Sequence, residues 1–279
     1  MLYFNFDNVN NAQIYLNNEL NKVMQLLETN NLKLNTSKTK YMLFTPNCKK
    51  YININFKPKF QDGTEIEKVS EYKYLGLIID NKLTWKSHIK HLRGKLSRSL
   101  GILYKLRHLV NKQNLFSVFN SLFLSHLNYG ILCWGRSNKS VMKPLTILMN
   151  KALRCINFCG PREHIENFLL KDHLLQVNEI FKLELAKFMY NYNSNNLPNC
   201  FNEYFLKINN KHNYNTRASK YNFFLPRKNS SKGQSSLAYL GPRLWSEIPE
   251  KTKEIKTIKS FISSYKLVLL DSYYHITNT

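Results

Sequence analysis

The chain has 279 residues, a formal net charge of +23 at pH 7 and an isoelectric point near 9.8. Hydrophobic residues make up 43% and aromatic residues 13%, so a packed core is expected and global disorder is not. The apolar runs are shorter than the roughly 18 residues of a membrane span, and five irregularly spaced cysteines favour a reducing, intracellular compartment.

The first 80 residues predict one helix packed on short antiparallel strands. Either Asn10 or Asn11 is placed to cap this helix, which runs to about Asn30. Its predicted buried face consists of Ile14, Leu16, Leu20, Val23 and Leu27. The strands are predicted over residues 2–6, 40–44 (ending at Pro46), 51–56 and 72–80, with a hairpin turn at Asp62-Gly63.

Residues 81–162 contain no Asp or Glu but hold 15 of the 41 Lys and Arg residues. About five acids would be expected in a window of this length. Solvated surfaces usually mix charges of both signs. A long stretch of one sign therefore indicates a surface for a polyanion, and nucleic acid is the expected partner.

An amphipathic helix is predicted within this stretch, with Thr84 as its N-cap. Apolar residues recur at helical spacing at Trp85, Ile89, Leu92, Leu96, Leu100, Leu103 and Leu106. Between them lie the candidate nucleic-acid-binding residues Lys86, Lys90, Arg93, Lys95, Arg98, Lys105 and Arg107. Further helices are predicted over residues 113–127, 141–158, 174–192 and 258–270, with a basic loop over about 209–234.

Several motifs resemble the reverse transcriptases of non-LTR (LINE-type, jockey/CR1-like) retrotransposons. The pattern Leu-Asn-x-x-Lys-Thr is met by Leu34, Asn35, Lys38 and Thr39. It is followed by Tyr74-Leu75-Gly76, by Asp80, and by the Leu-x-Trp-x-x-His-Ile pattern of residues 83–89. Residues 215–217, 233–235, 241–245 and 260–261 look like the tail of the same elements. The order and spacing of these motifs, more than any one of them, carry the resemblance.

The resemblance implies an α+β chain in three parts. Residues 1–80 would be the C-terminal part of the polymerase palm, a small antiparallel remnant with one helix. Residues 81–162 would be a basic, mostly helical thumb that clamps template–primer, and residues 163–279 the retroelement C-terminal region. Lys38 would lie near the phosphates of the incoming nucleotide. Tyr74-Leu75-Gly76 would be the primer grip.

The sequence departs from this family at the catalytic carboxylates. Reverse transcriptases hold two Mg²⁺ ions with a Tyr/Phe-x-Asp-Asp turn and a further Asp, and this chain contains no Asp-Asp pair. Asp7 and Asp80 are lone carboxylates that cannot replace that set. The catalytic residues are therefore expected upstream of Met1. This chain alone is expected to be inactive and to hold no cofactor, with Mg²⁺ needed only by the full-length polymerase.

Three other groups have both a functional and a packing interpretation. The spacing of Cys155, Cys159 and His164 differs from that of a zinc knuckle, so buried thiols are favoured over a metal site. His88 and His91 are expected to face phosphate or to be structural. Core packing is expected for Trp85 and Trp134, while Trp245 follows a predicted turn at Gly241-Pro242 and its role stays open.

The functional hypothesis is a C-terminal fragment of a retrotransposon reverse transcriptase that binds RNA, DNA or an RNA–DNA hybrid without sequence preference. The alternative is a non-functional remnant, or a non-enzymatic nucleic-acid or protein interaction module from a decayed element. An unrelated basic RNA-binding protein is disfavoured by the spacing between Tyr74-Leu75-Gly76 and His88. Because such elements act on chromosomal DNA, nuclear access is expected for the parent protein.

Overall fold

A computed structural model describes residues 2–6, 9–44, 56–60, 62–208 and 222–277. Within it the chain forms two compact units, Met1–His88 and Ile89–Thr279. Several predictions lie outside the described residues: Asp7, Pro46, most of the strand over 51–56, and residues 209–221 of the basic loop with their motif at 215–217.

Helices dominate the described residues. They are α1 (Val9–Thr29), α2 (Lys86–Leu106), α3 (Lys112–Val118), α4 (Ser125–Asn128), α5 (Ile131–Trp134), α6 (Lys139–Ile156), α7 (Glu166–Lys171), α8 (Val177–Asn193), α9 (Ser231–Gln234), α10 (Leu237–Glu247), α11 (Glu250–Lys253) and α12 (Ile258–Thr277). The helices predicted over 141–158, 174–192 and 258–270 are confirmed as α6, α8 and α12, with ends that differ by up to seven residues. Among the described residues, no helix is both long and apolar enough to cross a membrane.

The first unit contains two small sheets. Strands β1 (Lys40–Tyr41) and β2 (Glu67–Lys68) pair in parallel, which corrects the prediction of antiparallel strands throughout. Strands β3 (Glu71–Tyr74) and β4 (Leu77–Asp80) form the expected antiparallel hairpin. The Asp62-Gly63 turn is confirmed, because Gly63 has φ +82° and donates its N–H to the carbonyl of Phe60.

Helix α1 covers a small apolar cluster in this unit. Leu20 packs with Phe60 and Ile66, and Leu16, Met24, Leu34 and Tyr41 lie around them. Two predictions were wrong here. Ile14 is 63% exposed, because the packed face of α1 is the one that carries Ala12 and Leu20. Asn10 and Asn11 cannot cap a helix that begins at Val9, since both lie within its first turn.

The N-terminal segment is extended but is not a strand. Residues 2–6 pair with no strand among the described residues, so the strand predicted there is wrong. The alternating aromatic residues of this segment make ring contacts instead. Phe4 meets Tyr15 edge-on at 5.3 Å, and Phe6 stacks on Phe56 at 5.9 Å between ring centroids. Contacts with Tyr15 of α1 and with Phe56 therefore replace sheet pairing.

The second unit is organised around α8, which packs against α10, α12, α5 and α6. Aromatic rings fill the space between these helices. Tyr190 lies 4.6 Å from Phe261, and Trp245 lies 6.0 Å from Phe261, between centroids. Met189, Leu185 and Trp134 are buried in the same unit, so the core-packing prediction for Trp134 is confirmed.

The helix predicted over 113–127 is interrupted. After α3 the chain forms a π-helical segment, Phe119–Leu124, before α4 resumes. Within this segment the carbonyl of Leu122 accepts a hydrogen bond from the buried Ser99 hydroxyl of α2 at 2.9 Å. An inserted side-chain partner of this kind is a common companion of π turns.

The predicted turn at Gly241-Pro242 is wrong, because both residues lie inside α10. Pro242 is the sixth residue of α10, so its missing N–H leaves the carbonyl of Ala238 without the usual helical hydrogen bond. Gly241 allows a close approach: a Cβ built on it would lie 2.6 Å from the Met189 sulfur. Trp245 lies one turn further along α10 and is buried. The role that the sequence left open for it is therefore core packing.

Candidate nucleic-acid interface

The junction between the β3–β4 hairpin and α2 is organised by one carboxylate. Buried Asp80 accepts hydrogen bonds from the N–H groups of Lys82 (3.1 Å), Thr84 (3.0 Å) and Trp85 (2.7 Å), and from the Thr84 hydroxyl (3.2 Å). Leu83 and Trp85 adopt positive φ values of 53° and 62°. Such residues cost about 1–2 kcal/mol each outside glycine, and the Asp80 hydrogen bonds hold them in place.

This arrangement corrects two details of the predicted helix start. Helix α2 begins at Lys86, so Trp85 precedes it and is only half-buried rather than a member of the buried stripe. The Thr84 hydroxyl lies 3.5 Å from the Lys86 nitrogen, which is at the limit of a capping bond. Asp80 acts on the turn before the helix instead, because the N–H groups that it binds belong to residues 82, 84 and 85, which all precede α2.

The rest of the apolar stripe of α2 lies as predicted. Ile89, Leu92, Leu96, Leu100 and Leu103 are all buried in the second unit, and Leu106 is half-buried at the end of the helix. These positions follow the helical period, so the opposite side of α2 must face water. The burial of the stripe therefore determines which side chains are available to a ligand.

The available side chains of α2 are largely cationic. Lys86, Lys90, Arg93, Arg98 and Lys105 are exposed, while Lys95 and Arg107 are half-buried. Arg107 is partly engaged, since its guanidinium lies 5.3 Å from the ring centre of Phe158. Across the described part of the chain, no carboxylate lies within 4.0 Å of any of these seven cations.

One further residue of this face was not among the predicted ones. His126, in α4, is half-buried beside α2. Burial lowers the pKa of His126, and the nearby charges of Lys95 and Arg98 lower the pKa further. His126 therefore lies close enough to α2 for two of its cations to disfavour the protonated imidazole. No sequence pattern indicates this neighbour, because it lies 28 residues after Arg98.

The motif at residues 34–39 forms a compact turn. The side chain of Asn35 accepts hydrogen bonds from the Lys38 N–H (3.0 Å) and the Ser37 hydroxyl (2.8 Å), and the Thr39 hydroxyl donates to the Asn35 carbonyl (2.8 Å). Leu34 packs on the cluster under α1. Leu34, Asn35 and Thr39 therefore have structural roles in this turn. The Lys38 side chain is exposed, and its carbonyl accepts a hydrogen bond from the Tyr72 hydroxyl at 3.1 Å.

The segment Tyr74-Leu75-Gly76 is the tip of the hairpin. Leu75 and Gly76 have φ values of 45° and 83°, the left-handed pair that a tight two-residue turn requires. The turn projects apolar surface into solvent: Leu75 is 72% exposed, and Tyr72 and Tyr74 are exposed beside it. Such a tip can touch a sugar or a base without offering charge.

His88 and the two cysteines have packing roles, whereas the His164 side chain is 94% exposed. His88 is buried, and its Nδ1 accepts a hydrogen bond from the Ile78 N–H at 3.3 Å, so it is structural and does not face phosphate. Cys155 is buried and Cys159 half-buried, and burial raises the pKa of both thiols. Within the described ranges, no group of three or more metal-ligating side chains converges.

Comparison with known proteins connects the chain to a group of polymerases. It is 24% identical over 132 residues to the probable RNA-directed DNA polymerase from transposon X-element of Drosophila melanogaster. It is 29% identical over 134 residues to the probable RNA-directed DNA polymerase from transposon BS of the same species. It is 30% identical over 99 residues to the RNA-directed DNA polymerase from mobile element jockey, also of Drosophila melanogaster.

These similarities cover part of each protein. The first two span 46% of this chain and 14% of the relative, and the third spans 34% of this chain and 11% of the relative. No protein-family model matches the chain, and no solved structure matches it. The predicted resemblance to non-LTR retrotransposon polymerases is thus confirmed by relatives that are several times longer than the matched segment.

Proposed function

We propose that this chain, which is related in sequence to the RNA-directed DNA polymerases of non-LTR retrotransposons, is a nucleic-acid-binding segment of such a polymerase. Residues 81–162 act as the thumb, with residues 1–80 as the end of the palm and residues 163–279 as the C-terminal region of the element. The partner is template–primer: RNA, DNA or an RNA–DNA hybrid. Such a polymerase works on chromosomal DNA, so the parent protein enters the nucleus.

The observation that carries the proposal is the cationic face of α2. Its exposed Lys and Arg side chains lie opposite a buried apolar stripe and have no carboxylate partner within the described residues. Long flexible cations suit phosphate contacts, which position a duplex without reading its sequence. The exposed hairpin tip at Leu75 is suited to contact with the primer strand.

Nucleotide addition is not proposed for these 279 residues alone. The reaction needs converging carboxylates for two Mg²⁺ ions, and the sequence has no Asp-Asp pair. Asp80 does not fit the metal site either, because its carboxylate is buried and accepts four hydrogen bonds from residues 82–85. Lys38 therefore has no reaction to assist in this chain by itself.

A salt titration tests the proposal. The affinity of the protein for a fluorescent RNA–DNA hybrid is measured by anisotropy at several salt concentrations. We expect binding that weakens steeply with salt, because each phosphate contact contributes about 0.9 to the slope of log affinity against log salt. Replacing Lys86, Lys90, Arg93 and Arg98 by Gln should lower that slope by up to about 3.6.

Two controls make this result specific. A variant with Lys228, Lys251, Lys256 and Lys259 changed to Gln loses the same charge from exposed positions elsewhere and should bind like the wild type. Urea unfolding of both variants tests folding. Binding that is absent, or that does not depend on salt, would overturn the proposal in favour of a remnant or a protein interaction module. Extension of a primer by this chain with Mg²⁺ and nucleotides would overturn the claim of inactivity.

A further inference from the structure

We propose that α6 carries a second phosphate-binding surface, formed by Lys139, Lys143 and Lys151. This inference rests on the proposed function, since it assigns a further contact to the same nucleic acid. The three lysines lie outside the set predicted on α2, and they belong to a different helix of the second unit. The ligand is the sugar–phosphate backbone of RNA or DNA.

The three lysines occupy one face of α6. They lie at positions i, i+4 and i+12 of a single helix, and all three are exposed. At a rise of about 1.5 Å per residue the row is roughly 18 Å long. Ile147 completes the i+4 spacing between Lys143 and Lys151 and is 45% exposed. The row therefore offers three cations and one apolar contact along a line.

The opposite face of α6 is buried in the core. Met142, Leu145, Met149, Leu153 and Ile156 are buried. This burial fixes the rotation of the helix, so the lysine row cannot turn inward. It also distinguishes the surface from a membrane-binding helix, which needs its apolar face free to enter the lipid.

The charge of this face is uncompensated. No Asp or Glu occurs between residues 81 and 162, and across the described residues none of the three lysines has a carboxylate within 4.0 Å. Lys139 and Lys143 repel each other because they are neighbours at i, i+4 on the helix. Both also lie near the positive end of the helix dipole. A bound phosphate backbone relieves each of these repulsions.

The spacing suits a nucleic-acid strand. Each strand of a duplex advances about 3.4 Å along the axis per phosphate, so a row of roughly 18 Å runs beside about five phosphates. Along the axis of α6, Lys139 and Lys143 are about 6 Å apart, and Lys143 and Lys151 are about 12 Å apart. At about 3.4 Å per phosphate, these separations correspond to roughly two and roughly three to four phosphates, and the Lys side chains are long enough to adjust.

The test compares substitutions on the two helices. Changing Lys139, Lys143 and Lys151 to Gln, with α2 intact, should lower the salt slope for the RNA–DNA hybrid by up to about 2.7 and weaken binding at 0.1 M salt by about tenfold or more. The triple change to Arg keeps the charge and should bind like the wild type. The change of Lys251, Lys256 and Lys259 to Gln is the matched control for lost charge.

The outcomes separate this inference from the proposed function. If the α2 variant weakens binding and the α6 variant does not, the second surface is overturned and the proposed function stands. If both variants bind like the wild type, both proposals fail. Weaker binding with an unchanged salt slope also overturns the second surface, because the lysines then contribute no phosphate contact. Loss of binding to anionic vesicles, with hybrid binding unchanged, would assign the row to a membrane instead.

Discussion

The carboxylate of Asp80 accepts a hydrogen bond from the backbone N–H of Trp85 at 2.7 Å, the shortest of the four bonds that it receives. The bond joins the last residue of β4 to the residue that precedes α2. It therefore holds the turn between β4 and α2. Asp80, which cannot replace the catalytic carboxylates, has a structural role in this turn.

Replacing Asp80 by Ala should destabilise the protein by about 3 kcal/mol, because a buried carboxylate and its hydrogen bonds are lost while Leu83 and Trp85 keep strained backbone angles. The free energy of unfolding is measured in urea by circular dichroism. Asp271 is exposed in α12, and its change to Ala is the matched control. An Asp80 variant as stable as this control would show that the junction does not depend on the carboxylate.

Two glycine substitutions should have opposite effects on stability. A Cβ at Gly241 would meet the Met189 sulfur at 2.6 Å and the Phe205 ring at 3.1 Å, so Gly241→Ala should cost about 1–3 kcal/mol. Gly101 lies within α2 and has open space around its Cβ position, so Gly101→Ala should stabilise by up to about 1 kcal/mol. Thermal unfolding of the two variants checks the signs. Equal shifts would contradict the packing of α10 on α8.

The titration of His126 should respond to the charges of α2. Burial and the charges of Lys95 and Arg98 hold the pKa of His126 below its ordinary value, so changing Lys95 and Arg98 to Gln should raise it. The measurement is the pH dependence of the His126 ring signal in NMR spectra. A bound nucleic-acid backbone should also raise this pKa, and affinity should then increase as the pH falls from 8 to about 5.5.

The lowered pKa of His126 also determines how its contribution to stability changes with pH. Because the folded state disfavours the protonated imidazole, His126 contributes stability that is complete above the ordinary histidine pKa and is lost as the pH falls below it. The variant His126→Gln should remove this acid-dependent loss. A His126 signal that titrates identically with and without the Lys95 and Arg98 charges would contradict the proximity of α4 to α2.

Asp172 should couple α3 to the ends of α6 and α7. The Lys112 amine donates to Asn157 Oδ1 at 2.7 Å and to Asp172 Oδ1 at 2.8 Å, and Asn157 Nδ2 donates to Asp172 Oδ2 at 2.8 Å. Replacing Asp172 by Ala should cost about 2 kcal/mol, less than for a fully buried pair because the Lys112 side chain is 40% exposed.

A double-mutant cycle isolates this contact. The variants Lys112→Met, Asp172→Ala and their combination are unfolded in urea, and the coupling energy between the two sites should be about 1 kcal/mol. A coupling energy of zero would mean that Asp172 acts only through Asn157. The exposed pair Arg243 and Glu247, which are neighbours on α10, offers a comparison in which less coupling is expected.

Helical periodicity was the most informative local signal. The stripe from Ile89 to Leu103 is buried as predicted, and the exposed cations fall between its members. The ends of α6 lie two residues before the predicted ones at each end. These features depend on residues three or four positions apart, which the chain places on one face wherever a helix forms. The excess of positive charge needs no structure at all to be recognised.

The features that sequence reasoning missed have two causes, helix position and distant partners. Ile14 lies six residues before Leu20, about 120° away around α1, so it falls outside the buried face, and Trp85 fits the stripe but lies outside the helix. Gly241 and Pro242 have the composition of a turn, yet α10 includes them because Met189 and Phe205 lie against them. Local propensity is weak compared with the energy of such contacts.

The amino-acid sequence by itself determined that a basic helix would present its cations to solvent and that the chain resembles retrotransposon polymerases. Only the tertiary structure decided that Asp80 holds the turn between β4 and α2, that His88 is buried, and that His126 lies beside Lys95 and Arg98. The physical reason is the sequence separation between the residues that interact. Periodicity and charge act between near neighbours in the chain, whereas the partner of a buried polar group is chosen by packing between segments that are distant in sequence.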